Sequence, residues 1–124
     1  MLTLKNILLV GLGGMIGSML RYSMFLLIGN QTFPYATLVV NIAGSFLLGM
    51  ILGMYADGTG SNMLRLFLAT GICGGFTTFS AFSFECVQMI QQQKYIIAAT
   101  YTAASIVLGI AAAFAGLLIT KMYN

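Results

Sequence analysis

Histidine and tryptophan are missing from this 124-residue chain, proline occurs once, and the acidic residues number two. Those two, Asp57 and Glu85, lie far apart, so without histidine the chain has no players for acid–base or nucleophilic catalysis. Cys73 and Cys86 lack CxxC spacing and have no imidazole to join them. A metal site or a thiol dyad therefore lacks its parts, and both cysteines read as small buried hydrophobes. The five Lys and Arg form no basic run and the net charge is only +3, which excludes nucleic acid as a partner. The glycines from Gly11 to Gly17 break the GxGxxG spacing at Ile16 and follow no strand, so they serve helix packing rather than a dinucleotide.

What remains is apolar. The chain is 60% hydrophobic and 6% charged, with a mean hydropathy of +1.00. Soluble domains carry about a quarter of their residues as charges, so the solvent here is lipid and the localisation is a cell membrane. Residues 6–20, 22–56, 66–84 and 95–120 contain no Asp, Glu, Lys or Arg. A spanning helix takes about 20 residues. Turns at Gly29-Asn30-Gln31-Thr32-Phe33-Pro34, at Asp57-Gly58-Thr59-Gly60-Ser61-Asn62 and at Gln91-Gln92-Gln93-Lys94 divide the chain accordingly. The pattern predicts an all-α, integral membrane four-helix bundle in a single transmembrane domain, residues 1–124, with helices near 4–28, 34–55, 62–91 and 95–121. Lys5 precedes an apolar stretch too long and too glycine-rich for a cleavable signal, so the first helix is expected to be retained. Gly71, Gly74 and Gly75 before Thr77-Thr78 predict a broken third helix.

Lys5, Arg65 and Lys121 fall on one membrane face and Arg21 and Lys94 on the other, which gives almost no positive-inside bias. Such a chain inserts either way up and can pair with its inverted copy, unless one extra lysine suffices to orient it. Gly13 and Gly17, then Ser45, Gly49 and Gly53, then Gly71 and Gly75 recur four apart and mark close helix contacts, within one chain or between two.

Polar groups are costly in lipid. Thr37, Asn41 and Ser45 form a stripe on the second helix, and Tyr101, Ser105 and Gly109 form one on the fourth. Asn41 is either a structural clamp or a donor lining a path. The two stripes offer N–H and O–H donors without a fixed anion, a lining that favours anions. Arg21 reads as an interfacial anchor or as a cation at a pore mouth. Glu85 reads as a solvated helix residue or as a partner of the polar stripe. Phe79 and Phe82, three apart, either pack against lipid and core or turn positive ring edges to an anion.

Three motifs carry a resemblance. They are Gly13-Gly14-x-x-Gly17-x-x-x-Arg21-Tyr22, Pro34-x-x-Thr37-Leu38-x-Val40-Asn41-x-x-Gly44-Ser45-Phe46-x-x-Gly49, and Gly71 to Phe82 with its GGFTTFSxF string. Together they resemble the small fluoride channel family known as Fluc or CrcB. The resemblance implies an antiparallel dual-topology homodimer, commonest in bacterial inner membranes, with two fluoride pores and a structural sodium ion at the dimer interface. It implies that Phe79 and Phe82 face the pore and that Asn41, Ser80 and Thr37 donate along it. By the same resemblance Tyr101 and Ser105 would continue the track, and backbone carbonyls of Gly74 and Thr77 would hold the sodium. Gly109 stands where some relatives carry a hydroxyl, and Ala81 departs from the third motif. Fluoride would leave the cell passively, protecting it from fluoride toxicity. The rival is a small dual-topology multidrug antiporter, which needs a carboxylate at the membrane centre that the first, second and fourth helices lack. A non-transporting scaffold would leave the donor stripes unexplained.

Overall fold

The computed structural model describes residues 3–29, 31–58 and 60–123, all helices and connections; Asn30 and Thr59 of the two expected turns lie outside them. Four helices are long and apolar enough to cross a membrane: Leu4–Ile28, Tyr35–Met54, Asn62–Gln91 and Tyr95–Met122. The first two are α1 and α2. The third span has two parts, α3 over 62–76 and α4 over Phe79–Gln91, and the last span is α5. The protein is thus a multi-pass integral membrane bundle. Its exterior is apolar, with Leu8, Leu12, Met19, Leu26, Ile106, Ile110 and Leu118 all exposed. Its buried hydrophobic set is small, comprising Val40, Ala69, Cys73, Met89, Ala98 and Tyr101. Lipid, not water, is the solvent that such a surface tolerates.

Helix ends follow local chemistry. The Thr3 hydroxyl caps α1 by accepting from the Asn6 amide, and the Ser61 hydroxyl caps α3 by accepting from the Leu64 amide. Gly29, at φ 77°, ends α1 while its N–H still reaches the Phe25 carbonyl. Pro34 stands just before α2, where its missing N–H costs nothing.

Small residues set which helices meet. A Cβ at Gly13 would lie 2.6 Å from the Phe67 carbonyl oxygen, one at Gly17 would strike the Ile72 carbonyl, and one at Gly75 would strike that of Gly14. These glycines bring α1 onto α3. On the other side, added Cβ atoms at Gly49 and Gly116 would strike the carbonyls of Ala113 and Phe46, and one at Gly53 the Thr120 hydroxyl. These bring α2 onto α5. The small-residue faces anticipated from the sequence are therefore spent inside the chain, as two tight helix pairs. Along α3 the backbone widens into a π-helical stretch, Leu66–Cys73, and the close approach to α1 falls on it.

This packing predicts opposite outcomes at two glycines of one helix. Gly116→Val should destabilise the bundle by about 3 kcal/mol or prevent folding, because backbone cannot yield as a side chain can. Gly109→Ala meets nothing within 4 Å and should be neutral or stabilising by up to about 1 kcal/mol. Thermal unfolding of the two variants in detergent, compared with the parent, measures both.

Candidate functional site: a polar corridor at the helix break

The third span breaks at two extended residues, Thr77 (φ −85°, ψ 156°) and Thr78 (φ −149°, ψ 119°). In a continuous α-helix the Thr78 N–H would bond the Gly74 carbonyl and the Ala81 N–H would bond that of Thr77. Neither amide does so here. The Thr78 N–H donates to Asn41 Oδ1 at 2.8 Å, while Asn41 Nδ2 donates to the Thr78 carbonyl at 3.1 Å. The Ala81 N–H donates to the Thr78 hydroxyl at 3.1 Å. Asn41 on α2 thus acts as a two-bond clamp on the break. The carbonyls of Gly74 and Thr77 are left without the helical donors they would otherwise have.

The remaining groups of the break are fixed by neighbours. The Thr77 hydroxyl and N–H both donate to the Cys73 carbonyl, at 2.9 and 3.0 Å. The Thr77 methyl fills the space that a Cβ on Gly44 would need. Ser80 Oγ lies 3.1 Å from Thr78 Oγ1, on the exposed side of the turn. A cavity of 370 Å³ opens beside the break, lined by Asn41, Thr77, Thr78, Phe79, Phe82 and Ser105, with Gly74 and Gly109 at its margin. Ser105 Oγ is buried and has no hydrogen-bond partner among the described residues. One turn along α5, Gly109 leaves open space.

Thr37 and Tyr101 belong to the same track at a different level. Both are sealed from the surface, at 1% and 0% exposure, and both hydroxyls donate to Glu85, at 2.9 and 3.0 Å. Glu85 therefore bonds the polar stripes while staying partly exposed. This corrects the picture of a corridor without a carboxyl. The sequence held a signal for it, since Phe82 and Glu85 are three apart and neighbour each other on one face of α4. Beyond Glu85 a second cavity, of 290 Å³, is edged by Gln31, Gln88, Gln92 and Lys94.

Aromatic rings link the two levels. Phe79 and Phe82 lie 5.7 Å apart between centroids, Phe82 and Tyr101 5.1 Å, and Tyr101 and Phe33 5.4 Å in an edge-to-face arrangement. Phe33, which the sequence reading passed over as part of a turn, thus closes the column. Phe79 is 77% exposed, so this end of the column is open on the outside of a single chain. Arg21, half-buried on α1, lines neither of these two cavities. Among the described residues the arrangement brings together hydroxyl and amide donors, ring edges and a single carboxyl.

Comparison with known proteins agrees with that geometry. Residues 8–117 match the family described as CrcB-like protein, Camphor Resistance (CrcB). A protein of Flavobacterium psychrophilum named fluoride-specific ion channel FluC is 46% identical over 122 residues, covering 95% of this chain and 98% of its own. Proteins of the same name from Agrobacterium fabrum and Thermus thermophilus are 45% and 43% identical over 116 residues each, covering 90% and 91% of this chain and 93% of their own. The extent of these matches makes this chain, with its broken third span, a member of the CrcB family.

Proposed function

We propose that this chain is a fluoride-selective channel of the cytoplasmic membrane, working passively and without catalysis. The observation that carries the reading is the polar set itself, with Asn41, Ser105 and the Phe79–Phe82 pair beside one helix break and Thr37 and Tyr101 converging on Glu85, in a chain whose relatives are named fluoride channels. Fluoride is compact and tightly hydrated, so a path must replace its water with short, strong donors. Hydroxyls and aromatic edges in a narrow space do this for fluoride and leave larger chloride underbound. The carboxyl of Glu85 already collects two hydroxyl donors. We read it as a resident stand-in for the anion, holding Thr37 and Tyr101 aimed into the track until a fluoride ion takes over their O–H groups. Export needs no pump. With the inside about 100 mV negative, an anion gains about 2.3 kcal/mol on leaving, roughly a fifty-fold gradient at tenfold per 1.36 kcal/mol.

The functional unit in this proposal is an antiparallel homodimer of inverted copies. The near-even basic residues on the two faces support it, as does the Phe79 ring, exposed where a second chain would complete the lining. The freed carbonyls of Gly74 and Thr77 fit a sodium ion: they are uncharged oxygens at mid-membrane, and the structure gives them neither helix partner. When bound, that ion would supply positive charge at the junction of two breaks. The multidrug antiporter alternative finds no support among the relatives, which are named channels.

Purified protein in liposomes should release fluoride without a proton gradient and scarcely pass chloride. Absent fluoride release, or equal chloride release, from a folded preparation refutes the channel. A C-terminal tag should label on both membrane faces if inverted copies pair; labelling on one face only removes the dimer proposed. Phe79→Ile and Phe82→Ile should each cut fluoride flux about tenfold or more with the oligomer intact on size exclusion, and unchanged flux in both removes the aromatic role. Glu85→Gln keeps the shape but replaces one acceptor oxygen by a donor, so Thr37 and Tyr101 lose a shared anchor. Flux should fall at least about tenfold while the melting temperature moves little. A variant with parental flux would show that the carboxyl does not aim the donors.

A further inference from the structure

The corridor described so far ends at Ser105 and Gly109, short of the membrane face that carries the turn after α2. A third cavity, of 430 Å³, lies on that side, and Asn62, Arg65 and Thr70 of α3 line it together with Asn6 of α1. Its floor includes Ala69, and Ala69 also lines the central cavity beside the break, so a single small, buried residue is all that both cavities share as wall. At the opposite end the cavity holding Glu85 has Lys94 at its edge. Each of these two outer cavities has a single basic side chain in its lining, Arg65 in one and Lys94 in the other. Arg21 lines neither of them.

We propose that Arg65 is the cation at the mouth of the corridor on this face, drawing anions into the cavity that Ala69 separates from the central one. This rests on the channel reading and adds to it the identity of the capturing residue. The chemistry suits the task. A guanidinium stays charged at every working pH and is more weakly hydrated than an ammonium, so it concentrates an anion without holding it. Asn62 and Thr70 offer uncharged donors next to it, the polarity a partly dehydrated ion needs before it passes Ala69. Arg65 is exposed, so its effect is a field in water-filled space and must fade with salt. A lipid phosphate is the other anion that this chemistry accepts, and lipid composition separates the two.

The test is fluoride efflux from proteoliposomes against fluoride concentration, at about 10 mM and about 1 M of an inert salt, where the screening lengths are about 30 and 3 Å. Arg65→Gln should raise the half-saturating fluoride concentration about threefold at low salt, with maximal flux unchanged, and the difference should vanish at high salt. Arg65→Lys should restore most of the parental value. Lys121→Gln removes an equal charge from the same face but from none of the cavities described, and should shift nothing. An unshifted Arg65→Gln, a loss equal at both salts, or an equal shift in Lys121→Gln overturns the assignment. So does an effect that appears only in vesicles containing anionic lipid, which marks Arg65 as a headgroup ligand. If the parent protein itself passes no fluoride, the channel reading falls and this assignment with it; if the parent conducts and only the Arg65 pattern fails, the channel stands and the mouth lies elsewhere.

Discussion

A backbone amide inside lipid must find a partner, and the break in the third span exists because Asn41 provides one. A broken helix in the membrane interior leaves amides and carbonyls whose exposure costs several kcal/mol each. One carboxamide answers both main-chain groups of Thr78, and the Thr78 hydroxyl answers the Ala81 amide. The amides of Thr78 and Ala81 find partners while two carbonyls, of Gly74 and Thr77, lose the ones that helix geometry would have given them. Clamp and corridor are therefore one device. By its hydrogen bonds Asn41 is a structural clamp, and the same residue lines the central cavity.

That device needs α2 held close to the break, and small residues hold it there. Lipid offers helices no hydrophobic reason to associate, so close approach and dispersion must do the work. Gly13 and Gly17 seat α1 against 62–76, and Gly49, Gly53 and Gly116 seat α2 against α5. Gly44 admits the Thr77 side chain to α2 within one turn of Asn41. The two helix pairs leave between them a gap that side chains only partly fill, and the polar residues face it.

Much of the fold was legible in the sequence for a simple reason. Charge-free runs of spanning length are a near-direct statement of solvent, and Gly29, Pro34, Ser61 and the Gln91–Lys94 run punctuate them where the helices do end. The glycines clustered before Thr77-Thr78 marked the break as well. The small-residue faces were visible but their partners were not, since a stripe four apart looks the same whether its mate lies in the same chain or in another. Phe33 escaped notice because a residue in a turn carries no periodicity that ties it to Tyr101, and it joins the aromatic column only through packing.

By itself the sequence determined the solvent, the number of spans and the position of the break, because each follows from local composition or spacing. Tertiary structure alone decided that Thr37 and Tyr101, 64 positions apart by number, aim their hydroxyls at the carboxyl of Glu85. It alone decided that Asn41 grips Thr78 and that Ala69 lines two cavities. Hydrogen bonds and cavity walls depend on where separate helices come to rest against one another, and that register is set by the summed contact of small residues, which no single stretch of the chain contains.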